Sequence, residues 1–387
     1  MDNRKSVTPA VGGDVATVFV AIELSGTSWL AGMQTPRQER PGRHPLAAAD
    51  ALGLWALIER ERSALQRAGW ARVRVVTCYE AGRDGFWLHR FLVAQGAESH
   101  VVDPGSIEVN RRARRAKSDG LDVESLLRLV IRYDAGDRHH ARMVVVPSIG
   151  EEDARRPGRE RGRLLSERTA HSNRIQGLLA TQGLYGYRPL RGDRWVRLAA
   201  LHGANGQALP AQLHEEIVRE LHRLEVVEGQ IAAVEKRRAA ALAAAPAADK
   251  GAGRIKALRR LRGIDIEVAT TLVREVYYRP FANRRKVASY VGLTASPFRS
   301  GGMDHEQGIA KAGNRRARSM AIELAWLWLR HQPDSALSRW FHDRLAGSKS
   351  RRLKRILIVA LARKLVVALW RYLTAEVSPQ GARFKSA

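Results

Sequence analysis

Strand-like and helix-like patterns alternate through the first 150 residues, and this alternation leaves few architectures open. The runs VATVFVAIEL and TSWLAGM predict a hairpin-like pair of strands, and RVRVVTCYE, SHVVD and ARMVVVPS predict three more. Between them, PLAAADALGLWALIERERSALQRAG, DGFWLHRFLVAQG and GLDVESLLRLVIRY have the apolar spacing of helices. We therefore expect an α/β layer with a largely buried sheet, in which functional side chains usually lie at strand ends.

Helical patterns dominate the rest of the chain. An arginine-rich segment over 151–184 predicts a helix that breaks or starts at Pro157. A second segment, 210–246, has apolar residues every seven positions, at Ile217, Leu224 and Ile231. This repeat indicates a coiled-coil seam, which serves either oligomerisation or an antiparallel helical arm.

We predict three domains from these patterns. An α/β domain covers 1–148, a helical coiled-coil arm with an Ala-, Pro- and Gly-containing linker covers 149–250, and a mainly helical domain covers 251–387.

The charge of the chain points to a polyanionic partner. The net charge is +27, and residues from Gly251 onward include 28 basic and nine acidic side chains. Cys78 is the only cysteine, so disulfide and cysteine–zinc frameworks are excluded and a reducing cytoplasm is expected. The apolar run RILIVALARKLVVALW contains Arg363 and Lys364, which favours an amphipathic helix over a membrane span.

The segment LRRLRGIDIEVATTLVREV has the pattern of a helix-hairpin-helix with a tight turn at Gly263. Turn amides at such a helix N-terminus can hold a backbone phosphate. Asp265 stands where a second glycine is usual, so the hairpin serves either phosphate binding or packing.

Four carboxylates stand out by position. Glu23 and Glu80 end predicted strands, while Asp119 and Asp122 lie three apart near the start of a predicted helix. If they converge, they provide the oxygen ligands that Mg²⁺ or Mn²⁺ prefers. Taken singly, Glu80 also fits an exposed strand-end charge, Asp119 a helix cap and Asp122 a first-turn acid. A basic run suited to a phosphate backbone directly precedes Asp119: Arg111, Arg112, Arg114, Arg115 and Lys117.

In order along the chain, these motifs resemble the insertion-sequence-110 (IS110/IS1111-type) family of DEDD transposases, which are bridge-RNA-guided recombinases. The family's acidic motifs are similar to VAIELSG, CYEAGRDGFW and AKSDGLDVESLLRL. Its C-terminal transposase domain is similar to LRRLRGIDIEVATTLVREV, FANRRKVASYVGLTASPFRSGG and GIAKAGNRRARSMAIELAW.

The resemblance implies a RuvC-like, ribonuclease H-type first domain with a metal site at Glu23, Glu80, Asp119 and Asp122. It also implies long coiled-coil helices and a mainly helical C-terminal transposase domain in which Ser300 is the nucleophile. The family's first acid is normally aspartate, whereas this chain has Glu23.

The resemblance further implies that Ser300 forms a covalent phosphoserine link with DNA. A plain Ser-Gly-Gly turn is the alternative for this segment, and Ser296 is a rival nucleophile. Gly301 and Gly302 permit close approach of the backbone. His305 fits a loop, and Trp326 and Trp328 fit core packing. Phosphate contacts are expected from Arg299, Lys311, Arg315, Arg316 and Arg318.

We therefore predict a transposase that recombines DNA at specific sites, with magnesium or manganese as cofactor. Its expected partners are donor DNA, target DNA, a structured bridge RNA and further copies of itself as a dimer or tetramer, in the bacterial cytoplasm at the nucleoid and without a membrane. Two alternatives stay open: a metal-dependent, structure-specific nuclease of the Holliday-junction resolvase kind, and a nucleic-acid-binding protein with a decayed active site.

Overall fold

A computed structural model describes residues 14–107, 119–139, 142–300, 303–311 and 313–386, with backbone alone for 296–300 and 303–307. The chain forms two compact units, Met1–Val146 and Pro147–Ala387. No helix in these described stretches is long and apolar enough to cross a membrane.

The first unit is built on a mixed five-stranded sheet. Its strands are β1 (Val15–Leu24), β2 (Ser28–Gln34), β3 (Gly42–Ala47), β4 (Arg72–Glu80) and β5 (Glu98–Val102), in the order β3-β2-β1-β4-β5. β1, β2 and β3 pair antiparallel, whereas β1, β4 and β5 pair parallel. The predicted α/β layer is thus confirmed.

Helices cover both faces of this sheet. α1 (Ala51–Arg67) and α2 (Trp87–Ala94) pack on one face, where the core includes Val18, Val20, Leu54 and Leu92. α3 (Asp119–Asp134) packs on the other face through Leu126, Leu127 and Val130. Because both faces are covered, β1 and β4 are rich in buried apolar residues rather than strictly alternating.

Two predictions for this unit were wrong. The helix expected from Pro45 begins only at Ala51. Its N-cap is Asp50, whose carboxylate accepts a hydrogen bond from Gly53 N at 2.8 Å. Residues Gly42–Ala47 form edge strand β3 instead, where Pro45 is tolerated. The run ARMVVVPS makes only an isolated bridge between Val102 and Met143 rather than a strand.

The second unit begins with a helical hairpin. After α4 (Ile149–Asp153), α5 (Arg156–Ala180) starts with Pro157 in its first turn, as predicted. α6 (Arg194–Ala199) leads to α7 (Ala211–Ala244), which packs antiparallel against α5. The heptad residues Ile217, Leu224 and Ile231 are buried in this pair, so the seam is covered within the chain.

The remaining elements form a largely helical core and a separate two-stranded sheet. Leu258, Leu324, Trp328, Leu361 and Leu365 lie at its centre. The elements are α8 (Lys250–Arg259), α9 (Ile266–Leu272) with a π-helical continuation Val273–Tyr277, α10 (Arg284–Tyr290), β6 (Ala295–Ser300), β7 (Met303–Ile309), α11 (Arg315–His331), α12 (Ala336–Leu345) and α13 (Arg351–Ala375).

Candidate active site

Glu23 and Glu80 lie at the same edge of the first unit's sheet. In the parallel pairing of β1 with β4, Ile22 stands opposite Tyr79, and the two glutamates are each the next residue along. Side chains alternate between faces along a strand, so Glu23 and Glu80 share a face with Ala21 and Cys78. That face is the one covered by α3.

The path of α3 brings its first turn to this edge. The helix runs opposite to β4, because Asp134 at its end lies 2.9 Å from Arg74 near the start of β4. Nearer the end of β4, Cys78 Sγ donates to the carbonyl oxygen of Leu126 at 3.5 Å. Asp122 is one helical turn before Leu126, and Asp119 precedes it. The four predicted acids therefore lie at one edge, which we call the acidic edge.

The acidic edge has donors of the right chemistry for a divalent metal. Glu80 and Asp119 are exposed, and Glu23 and Asp122 are partly buried. Carboxylate oxygens are the ligands that Mg²⁺ and Mn²⁺ prefer. Among the described residues, however, the His, Cys, Asp and Glu side chains do not form any group of three that could hold a metal ion. The donor types suit the metal, whereas the described side-chain positions do not assemble its ligands.

The predicted phosphate-binding run before α3 cannot be placed. Arg111, Arg112, Arg114, Arg115 and Lys117 lie outside the described residues.

Ser300 is the last residue of β6 and pairs with Met303 across the β6–β7 hairpin. Gly301 and Gly302, between them, lie outside the described residues, as do the side chains of Ser296, Arg299 and Ser300. His305 pairs with Phe298 inside β7, so the prediction of a loop histidine was wrong. This position at the end of a strand is compatible with Ser300 as a nucleophile and equally with Ser300 as part of a plain surface turn.

The predicted phosphate ligands after the hairpin differ in environment. Lys311 and Arg315 are exposed. Arg318 donates to the carbonyl oxygen of Lys311 at 2.8 Å. Arg316 is partly buried, donates to the carbonyl oxygen of Gly158 and lies 3.6 Å from the Glu267 carboxylate. Its guanidinium therefore already has protein acceptors, whereas the neighbouring exposed Arg315 has none among the described residues.

A buried carboxylate holds the start of α11. Glu275, only 3% exposed, accepts from Arg159 at 3.0 Å and from the Asn314 amide at 2.9 Å. Burial acts to raise the pKa of Glu275, but these two bonds and the nearby Arg155 charge hold that pKa below its ordinary value.

Sequence reasoning did not identify Glu275, Asn314 or Arg159. Asn314 had a detectable signal, because asparagine directly before RRARSMAIELAW is a typical helix cap. Arg159 and Glu275 meet across the core, and the sequence contains no local signal for that contact.

The helix-hairpin-helix segment has the structure expected for packing. Gly263 adopts φ 80°, and a Cβ there would lie 2.9 Å from His331 Cβ. Asp265 accepts from Val268 N at 2.8 Å, so its carboxylate occupies the N-terminus of α9. A phosphate at the same place would meet this negative charge.

Of the two tryptophans expected in the core, only Trp328 lies there. Trp328 is fully buried and donates to Ser335 Oγ at 2.9 Å. Trp326 is 42% exposed, with Lys354 Nζ 5.4 Å from its ring centroid, so the prediction for Trp326 was wrong.

Comparisons with known proteins find similarity to transposases. Residues 255–340 match the family model described as Transposase IS116/IS110/IS902 family. The chain is 46% identical to "Putative transposase y4rJ" of Sinorhizobium fredii over 392 residues, covering 100% of this chain and 99% of that protein.

Two further relatives are more distant. The chain is 30% identical to "Probable family 20 transposase" of Pseudomonas aeruginosa, covering 67% of this chain and 73% of that protein. It is 24% identical to "Transposase for insertion sequence element IS1111A" of Coxiella burnetii, covering 79% of each.

Proposed function

The chain belongs to the IS116/IS110/IS902 family of transposases, and from this premise we propose that it recombines DNA through a covalent phosphoserine intermediate at Ser300. The observation that carries the proposal is the acidic edge: two adjacent parallel strands have glutamates at or next to their last residue, beneath a helix whose first turn holds two aspartates. An edge of this kind suits phosphoryl transfer, and the net charge of +27 suits a DNA substrate.

The first unit is proposed to be a RuvC-like, ribonuclease H-type domain. Its mixed sheet, in which three antiparallel strands lead into two parallel ones, supports this assignment. Glu23, Glu80, Asp119 and Asp122 would hold Mg²⁺ or Mn²⁺. When bound, such ions supply Lewis acidity toward phosphate oxygens and lower the pKa of an attacking hydroxyl.

The proposed chemistry at Ser300 is a phosphoryl transfer that conserves one phosphodiester linkage. Ser300 Oγ loses its proton and bonds to a DNA phosphorus, while the bond from that phosphorus to a deoxyribose oxygen breaks. The released deoxyribose oxygen takes up a proton. Attack by a second DNA end reverses these events, joins the new strands and frees the serine.

The partners that we propose are those that the family resemblance implies. We propose that a structured bridge RNA from the element selects donor and target DNA, and that the protein acts as a dimer or tetramer at the bacterial nucleoid. The charge of the chain is large enough for simultaneous contact with two nucleic acids, which supports this arrangement.

A covalent-trapping experiment tests the proposal. The protein is incubated with RNA from the element's flank, labelled donor and target DNA, and Mg²⁺, and the products are separated on a denaturing gel. We expect a protein–DNA adduct that disappears in Ser300→Ala and persists in Ser296→Ala, a matched loss of one hydroxyl in the same strand.

Substitutions at Glu23 test the acidic edge in the same assay. Glu23→Gln removes the charge and should abolish the adduct. Glu23→Asp restores the family's usual acid, and a higher adduct yield would show that the longer side chain limits this protein. Free DNA ends that persist in Ser300→Ala would establish the nuclease instead, and binding without either product would indicate a decayed site.

A further inference from the structure

A large cleft opens in the second unit beside the base of the β6–β7 hairpin. Its volume is about 1300 Å³, and α10, α12, α13 and both strands contribute to its lining. Ala295 at the start of β6 and Ile309 at the end of β7 lie in its wall. The hairpin that ends in Ser300 therefore begins at this cleft.

Exposed cationic side chains line the cleft. Two come from the start of α10 and five from α13, and the residues identified along the wall do not include an acid. They are Arg284, Arg285, Arg352, Arg355, Arg363, Lys364 and Arg371.

In the described part of the chain, these seven cations lack carboxylate partners, unlike several arginines of the helical hairpin in the same unit. On the helical hairpin, Arg161 pairs with Glu235 and Arg174 pairs with Glu220. Across the described residues, by comparison, none of the seven cleft cations forms an ion pair. The cleft is thus a concentration of uncompensated positive charge, which attracts a polyanion.

The contribution of α13 is a continuous stripe. Its cleft residues recur at three- and four-residue intervals from Arg352 to Arg371, so they share one helix face. At the helical rise, this stripe is about 28 Å long. Duplex DNA rises about 3.4 Å per base pair, so the stripe matches about eight base pairs of backbone.

The floor between the cations is apolar and favours DNA over RNA. Ile356, Val359 and Val367 lie there, and Ile356 is 55% exposed. A ribose 2′-hydroxyl against this floor would lose water without gaining a hydrogen bond, whereas deoxyribose would not. A second copy of the chain is disfavoured as occupant because each copy has a net charge of +27.

We infer that the cleft between α10 and α13 binds the backbone of duplex DNA next to the phosphate that Ser300 attacks. The inference rests on the proposed function for the identity of that phosphate. The five residue-to-residue steps from Ala295 to Ser300 span about 17 Å of extended strand, which corresponds to about five base pairs. A duplex in the cleft that extends along β6 would reach Ser300 within this distance.

The test compares two variants of equal charge loss. The cleft variant combines Arg352→Ala, Arg355→Ala, Arg363→Ala and Arg371→Ala. The control combines Arg330→Ala, Arg339→Ala, Arg344→Ala and Arg351→Ala, exposed arginines outside the cleft wall. Binding of a labelled 30-base-pair duplex from the element's end, and of a hairpin RNA of similar charge, is measured by fluorescence anisotropy at several salt concentrations.

We expect the cleft variant to bind the duplex at least about tenfold more weakly than the control at 150 mM salt. The slope of log Kd against log salt concentration should fall by about 3 to 4 in the cleft variant, because each lost phosphate contact removes roughly one unit. Thermal melting checks folding. If the cleft variant does not fold, Arg355→Ala with Arg363→Ala is compared with Arg339→Ala with Arg344→Ala.

Equal losses in both variants would overturn the inference, as would a loss of RNA binding with DNA binding intact. The trapping assay separates this inference from the proposed function. If the wild type forms the adduct but the cleft variant binds like the control, the cleft assignment fails and the function stands. If the wild type forms no adduct but the cleft variant loses DNA binding, the cleft stands and the function fails.

Discussion

The side-chain amide of Asn314 donates a 2.9 Å hydrogen bond to the buried carboxylate of Glu275. The same asparagine accepts from Ala317 N at 3.0 Å and caps α11. One residue thus links the helix that follows the Ser300 hairpin to a charge fixed in the core.

Replacing Asn314 should cost more than losing an ordinary helix cap. Asn314→Ala removes the cap and leaves Glu275 with one donor fewer, and we expect a loss of about 2–4 kcal/mol in the free energy of unfolding. Asn283→Ala is the matched control, because Asn283 caps α10 at an exposed site and its loss should cost about 1 kcal/mol. Urea denaturation measures both, and equal losses would contradict the linking role.

Stability should depend on pH through Glu275. Because the pKa of Glu275 is lowered in the fold, its contribution is complete above the ordinary glutamate range and is lost as pH falls through the folded-state pKa. We expect Glu275→Gln to reduce stability by about 1–3 kcal/mol at pH 7 and to lose less stability than the wild type between pH 6 and 3. Exposed Glu323→Gln is the control, and parallel pH profiles for the wild type and Glu275→Gln would refute the prediction.

The packing of α3 against the sheet should leave no room for a methyl group at Gly32. A Cβ there would overlap Val123 Cγ1, so Gly32→Ala should reduce stability by about 1–3 kcal/mol. Val123→Ala should relieve this overlap. In a double-mutant cycle, we expect the two single losses to exceed the loss of the double variant by about 1 kcal/mol. Additive losses would mean that α3 does not pack here, and the placement of Asp119 and Asp122 would then fail.

The adjacent residues Arg315 and Arg316 should have separable effects. Arg315 is exposed, so Arg315→Ala should leave stability nearly unchanged and reduce the salt slope of DNA binding by about 1. Arg316 bonds to Gly158, so Arg316→Ala should reduce stability by about 1–3 kcal/mol. Melting curves measure stability and anisotropy titrations measure DNA binding. A loss of stability in Arg315→Ala, with none in Arg316→Ala, would contradict the environments described for the two arginines.

The heptad seam is buried within one chain, so a substitution in this seam should destabilise the protein equally at every protein concentration. Leu224→Ala should reduce stability by about 2–5 kcal/mol, whereas Val226→Ala, at a residue 60% exposed, should change it by less than about 0.5 kcal/mol. The melting temperature of Leu224→Ala is measured over a hundredfold range of protein concentration. A strong dependence on concentration would indicate that the seam pairs between chains.

Local patterns were sufficient for much of the fold. The apolar, β-branched runs of β1 and β4 and the heptads of α7 are properties of neighbouring residues, so they could be recognised without a structure. Pro157 likewise marked the start of α5. The edge strand β3 was missed because alanine-rich sequence after Pro45 favours a helix locally, and pairing with β2 overrides that preference.

The sequence by itself determined the α/β layer, the long helices, the basic charge and the family motifs, because each depends on composition or short-range order. Only the tertiary structure decided that Glu23 and Glu80 lie near the ends of neighbouring strands beneath α3, that the α7 seam packs on α5, and that Arg316 has protein acceptors. These relationships join residues far apart in the chain. They depend on strand register and helix packing, which local periodicity does not specify.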